Sequence, residues 1–183
     1  MSDAGKSKCC CGSYPTAITV LGALLWVLGF LMFLNIIGMF LNEYFPVWYP
    51  TVELLLFFVF AAALVLIGTW WCKDSKATRT NLRIAAYLIF GSIGFSIIVA
   101  LVYVGAACET NYVMVGTGDK EDSENYDKVP KSWYVLGYIF FGLVIIVLTL
   151  GLLWTLEQYK DQKKDAESGS EDGEKSSQKS DAK

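Results

Sequence analysis

Three adjacent cysteines, Cys9, Cys10 and Cys11, followed by Gly12, are the residues of this 183-residue chain best placed for covalent chemistry. A thiolate is both a nucleophile and a soft metal ligand. Three consecutive thiolates have poor geometry for a tetrahedral ion, and sequence neighbours make a poor disulfide framework. They stand a few residues ahead of a long apolar run that begins at Thr16, within reach of a membrane-bound acyltransferase. S-palmitoylation of Cys9, Cys10 and Cys11 is therefore the expected chemistry, with reduced free thiols as the plain alternative. Cys72 is a weaker acylation candidate, and Cys108 is the one cysteine left for an outer loop, so no intrachain disulfide is expected there.

The rest of the inventory mostly excludes. There is no histidine, so there is no imidazole base, no Ser-His-Asp or Cys-His arrangement and no His-ligated metal. No glycine-rich phosphate loop occurs, and a net charge of −3 offers no basic footprint for nucleic acid. No enzyme activity, cofactor, metal or nucleic-acid partner is expected. The acidic stretch holding Asp119, Glu121, Asp122, Glu124 and Asp127 resembles a calcium loop in composition only. Its sixth position is Glu124 and its twelfth Pro130, where an EF-hand needs Gly and Glu. It reads as a hydrated loop open to weak cation binding or to a basic partner.

Composition says which elements carry these residues. The chain is 54% hydrophobic and 18% charged, and four long runs hold almost all of the apolar excess. Crossing a bilayer takes about 20 apolar residues. The runs 16–41, 51–72, 84–107 and 132–156 all meet that length, and the only charge within them is Glu53. The expected fold is all-α: an integral-membrane four-helix bundle. Near the span ends, Lys6, Lys8, Lys73, Lys76, Arg79, Arg83, Lys160, Lys163 and Lys164 fall on one side, and Lys120, Lys128 and Lys131 on the other. Nine against three puts both termini (1–15 and 157–183) and the loop 73–83 in the cytoplasm, with loops 42–50 and 108–131 outside. Tyr44, Phe45, Trp48, Tyr49, Trp133 and Tyr134 read as an outer interfacial belt, and Trp70, Trp71 and Trp154 as an inner one. The tail 157–183 is rich in Ser, Glu, Asp and Lys, cannot bury a core, and is expected to be disordered.

Within the spans, Gly22 and Gly29 share a face seven residues apart, Ser92 and Ser96 form a small-xxx-small pair, and Gly137 and Gly142 add two more small sites. Such residues let helices approach closely. Asn35 is the only amide inside a span and wants a hydrogen-bond partner on another helix, worth about 0.5–2 kcal/mol. Glu53 is expected at the outer end of its helix, where headgroup water and the helix dipole suit a carboxylate.

Both ends inside, a short first outer loop, a longer second one and a cysteine cluster before span one make the chain resemble four-pass (tetraspan) membrane proteins in the broad sense. Tetraspanins, MARVEL-type proteins and lysosome-associated four-pass proteins share that outline. The resemblance is architectural and covers roughly residues 9–160, since the second outer loop lacks the Cys-Cys-Gly of tetraspanins. The expected role is a non-enzymatic organiser or accessory subunit of a membrane-protein complex. It would act by lateral helix packing against lipid and other integral membrane proteins, in the plasma membrane or a post-Golgi vesicle membrane. The rival expectation is a pore-forming homo-oligomer or small-solute transporter.

Overall fold

The structure, a computed structural model, describes residues 14–42, 44–72, 76–107, 112–116 and 126–178. Four helices follow one another: α1 (Tyr14–Phe40), α2 (Trp48–Cys72), α3 (Lys76–Val102) and α4 (Lys131–Gln178). A single π-helical turn, Tyr103–Ala107, ends α3, and an antiparallel hairpin of β1 (Tyr112–Gly116) and β2 (Tyr126–Pro130) leads into α4. Each of the four helices has a segment long and apolar enough to cross a membrane: Tyr14–Phe40, Trp48–Trp71, Ala77–Gly105 and Lys131–Asp161. The chain has the architecture of a multi-pass membrane protein.

The helices close into a ring in which α1 packs on α2 and α4, and α3 packs on α2 and α4. The sequence of α1 explains its part. Its buried residues are Ile18, Gly22, Leu25, Gly29, Met32, Ile36 and Met39, alternately four and three apart. That 3.5-residue period is the seam of left-handed helix packing. A methyl group added at Gly29 would lie 2.6 Å from Leu64 Cδ1 and 2.9 Å from Phe60 Cε1, and one at Gly22 would lie 3.0 Å from Ile67 Cγ2. Across the ring, a methyl at Gly142 would meet Ile97 Cδ1 at 3.0 Å. Glycine at these points is what brings α1 onto α2 and α4 onto α3. Fully buried Phe60, Ile67, Ile89, Ile145 and Leu152 fill the axis between them. Lipid tails are as apolar as these side chains, so close packing rather than a hydrophobic difference holds the bundle.

Buried hydroxyls mostly return to their own helix. Ser92, Thr149 and Thr155 bond to the carbonyls of Ile89, Ile145 and Gly151. This satisfies them without water, as a bilayer interior requires. At the end where the chain termini emerge, Arg83 pairs with Glu157, Arg79 lies over the Tyr159 ring at 5.5 Å, and Trp70 meets the same ring edge-on.

Three expectations change. The loop between α3 and α4 adds a short hairpin to the all-α bundle, and Val113 of β1 is buried. Helix α3 begins at Lys76, so most of the basic loop 73–83 is helical. Helix α4 runs 48 residues, about 72 Å, against about 30 Å of hydrocarbon, and so continues through much of the segment expected to be disordered. Inability to bury a core argues against folding alone. Extending an already nucleated helix into water needs no core.

Candidate functional site

Helix α2 starts at Trp48, three residues before the expected boundary, and Pro50 is tolerated there because a helix's first N–H groups have no partner within it. Glu53 therefore lies five residues, about 8 Å, inside the helix. Its side chain is fully buried. The expectation of a carboxylate in headgroup water is thus overturned: the face of α2 that carries Glu53 turns into the bundle, toward α3 and α4.

Ser96 of α3 donates its hydroxyl to Glu53 Oε2 at 2.6 Å, and Tyr138 of α4 sits 2.7 Å from the same Ser96 oxygen. A serine has one proton, and Ser96 gives it to Glu53, so Tyr138 must be the donor in the second bond. The result is a relay, Tyr138 to Ser96 to Glu53, that crosses three helices. Glu53 Oε1 is buried with no hydrogen-bond partner among the described residues. One turn nearer the helix end, the Tyr49 and Tyr134 hydroxyls meet at 3.0 Å. Tyr49 stacks on Tyr103 of the π turn at 4.4 Å between ring centres, and Phe45 stacks on Tyr49 at 5.6 Å. Phe45 and Tyr49 are buried, so these two leave the expected interfacial belt and cap the bundle instead, whereas Trp48 and Trp133 remain exposed. Asn42 fixes the cap to the hairpin: its amide donates to the Met114 carbonyl at 2.8 Å and its Oδ1 accepts from the Tyr44 N–H at 2.9 Å.

Beside the relay lies a cleft of about 360 Å³ between α1, α3 and α4. Ser96 and Tyr138 form its polar wall, Asn35 faces them from α1, and Met32, Ile97 and Phe141 are among its apolar walls. Val115 and Val129 of the hairpin close it toward the bundle end. It shares Asn35, Val115 and Tyr134 with a smaller cavity of about 200 Å³ under Asn42 and Phe45. Comparison of the chain with protein-family models, with curated proteins and with solved structures finds no match. The site must be read from its own geometry.

The residues singled out from sequence fall into four groups. Gly22, Gly29, Ser92 and Gly142 lie in helix contacts or the buried core. Ser96, Gly137 and Asn35 line the cleft; Gly137 has open space where a side chain would be, and Asn35 is exposed on the α1 surface with no hydrogen bond to another described residue. Asp127 is exposed on β2. Cys9, Cys10, Cys11, Asp119, Glu121, Asp122 and Glu124 lie outside the described residues. Glu53, Tyr49, Tyr134 and Tyr138 were not singled out as a site. A signal was there: Tyr49 and Glu53, and Tyr134 and Tyr138, are each four apart, which puts each pair on one helix face. No sequence spacing says that the two faces meet.

Proposed function

We propose that the chain is a non-enzymatic four-pass membrane protein that organises or accompanies other integral membrane proteins through lateral contact. The observation that supports this best is the filled axis: Phe60, Ile67, Ile89, Ile145 and Leu152 occupy the centre of the ring with essentially no exposure. A single copy with such a core offers partners its outer faces rather than a passage. Those faces are large and apolar, with Phe30, Phe58, Phe95, Phe140 and Val147 each at least 60% exposed. In this reading both termini are cytoplasmic, the hairpin is outside, Cys9, Cys10 and Cys11 are acylated, and the membrane is the plasma membrane or a post-Golgi vesicle membrane. The test is gentle extraction followed by native mass spectrometry. A stoichiometric foreign membrane protein supports the reading; a closed homo-oligomer without one overturns it.

The second reading, a homo-oligomeric pore or small-solute transporter, has Glu53 in its favour. An ionisable side chain buried within a span marks a functional site by default. Flux through liposomes holding the purified protein alone, abolished by Glu53→Gln, would put this reading first.

A further inference from the structure

The cleft combines three observations. First, Asn35 sets an amide, both donor and acceptor, on the surface of a membrane-spanning helix with no hydrogen bond to another described residue. Leaving such a group in hydrocarbon is costly, so it calls for a hydrogen-bonding partner. Second, across the cleft the Tyr138 and Ser96 hydroxyls spend their protons on the relay toward the buried Glu53 carboxyl, so what they offer the cleft is oxygen lone pairs. Third, apart from Trp133 and Tyr134 the remaining lining is apolar, and it includes no lysine or arginine among the described residues, so no cation there matches a phosphate.

These features select the occupant. A phospholipid head brings an anion for which the lining holds no cation. A bare acyl chain leaves the amide unpaired. A hydroxyl on an apolar body engages both walls, donating its one proton toward the Tyr138–Ser96 wall while accepting from Asn35 Nδ2. The volume of about 360 Å³ is at the small end of ligand pockets. It suits the hydroxyl end of one lipid whose remaining hydrocarbon stays in the bilayer. Trp133 at the rim is 67% exposed and Gly137 presents no side chain, so the cleft opens sideways along α4.

We propose that this cleft binds a neutral, hydroxyl-bearing membrane lipid, admitted laterally from the leaflet on the hairpin side. Asn35 and the Tyr138–Ser96 pair hold its hydroxyl, and Met32, Ile97 and Phe141 hold its apolar body. The shared chemistry is a single hydroxyl on a hydrocarbon body; a sterol and a diacylglycerol are the two sources.

The full-length protein in phosphatidylcholine nanodiscs is photolabelled with a clickable photoreactive sterol and, separately, a clickable photoreactive diacylglycerol. The expected result is saturable labelling by at least one probe, mapped to α1 near Asn35 or to α4 between Trp133 and Gly142. Which probe labels names the source. Gly137→Leu, which puts a side chain into open space, and Asn35→Leu should each lower that labelling about fivefold or more, the scale of one lost hydrogen bond or a blocked site. Gly91→Leu, on an open surface position away from the cleft, should not. On the wild-type protein, excess unlabelled lipid should compete while its O-methyl ether, which cannot donate, should not. Three results overturn the proposal: equal competition by the ether, labelling spread evenly over the lipid-facing helices, or crosslinks from Asn35 to a foreign protein helix in place of lipid.

Discussion

At the scale of single residues, the Tyr138–Ser96–Glu53 relay makes an ordered prediction. Ser96 is its middle member, giving its proton to Glu53 Oε2 and accepting one from Tyr138. Ser96→Ala removes both bonds and strips Glu53 Oε2 of this donor, while Oε1 already has none among the described residues. The cost is the desolvation of a buried polar group, about 1–3 kcal/mol. Tyr138→Phe removes only the outer bond, at about 0.5–1.5 kcal/mol. Titration from mild detergent into denaturing micelles should rank Ser96→Ala as the more damaging of the two. Equal losses would mean that Glu53 finds another donor and that the relay is not the unit described. Tyr49→Phe breaks the neighbouring pair with Tyr134, whose ring centre lies 6.2 Å from that of Tyr138, so it should couple to Ser96→Ala rather than add independently.

At the scale of elements, glycine decides which helices approach. Alanine substitution along the chain should follow the space open to a methyl group. Gly29→Ala meets Leu64 and Phe60 under 3.0 Å and should cost about 1–3 kcal/mol by overpacking. Gly22→Ala and Gly142→Ala, whose nearest side-chain carbon is at 3.0 Å, should cost less. Gly91→Ala meets nothing and should be neutral or stabilising by up to about 1 kcal/mol through helix propensity. The same micelle titration reads all four, and a large loss at Gly91 with none at Gly29 would refute the packing argument. The α1 seam was legible in the sequence because two glycines seven apart mark a face. The inward turn of Glu53 was not. Placing the start of α2 at Thr51 put the acid in its first turn, while the helix begins at Trp48, and only the meeting of α2 with α3 and α4 reveals the burial. The hairpin was hidden for a related reason. A strand of five residues inside a loop gives little alternation to read, and its anchor, Asn42, lies 72 residues away from Met114. Asn42→Ala should loosen that anchor, raising amide exchange in Tyr112–Gly116 about fivefold for one lost bond of about 1 kcal/mol.

At the scale of the whole molecule, the number of spans ties the two ends of the chain together. If all four candidate spans cross, the head of α1 at Tyr14 and the end of α4 share one side of the membrane, and the hairpin lies on the other. The enzymes that acylate juxtamembrane cysteines work at the cytoplasmic face, the side to which the nine-to-three bias of lysine and arginine assigns the termini. Acylation and orientation are therefore not independent expectations. Replacing Cys9, Cys10 and Cys11 with Ser should abolish hydroxylamine-sensitive acyl exchange. An epitope inserted between Asp119 and Asp127 should then be reachable from outside intact cells, while one at Lys183 should need permeabilisation. Acylation that depends on Cys9, Cys10 and Cys11 together with an inward-facing hairpin is a combination that four crossings forbid. Observing it would overturn the four-span architecture itself rather than only the direction in which the bundle sits.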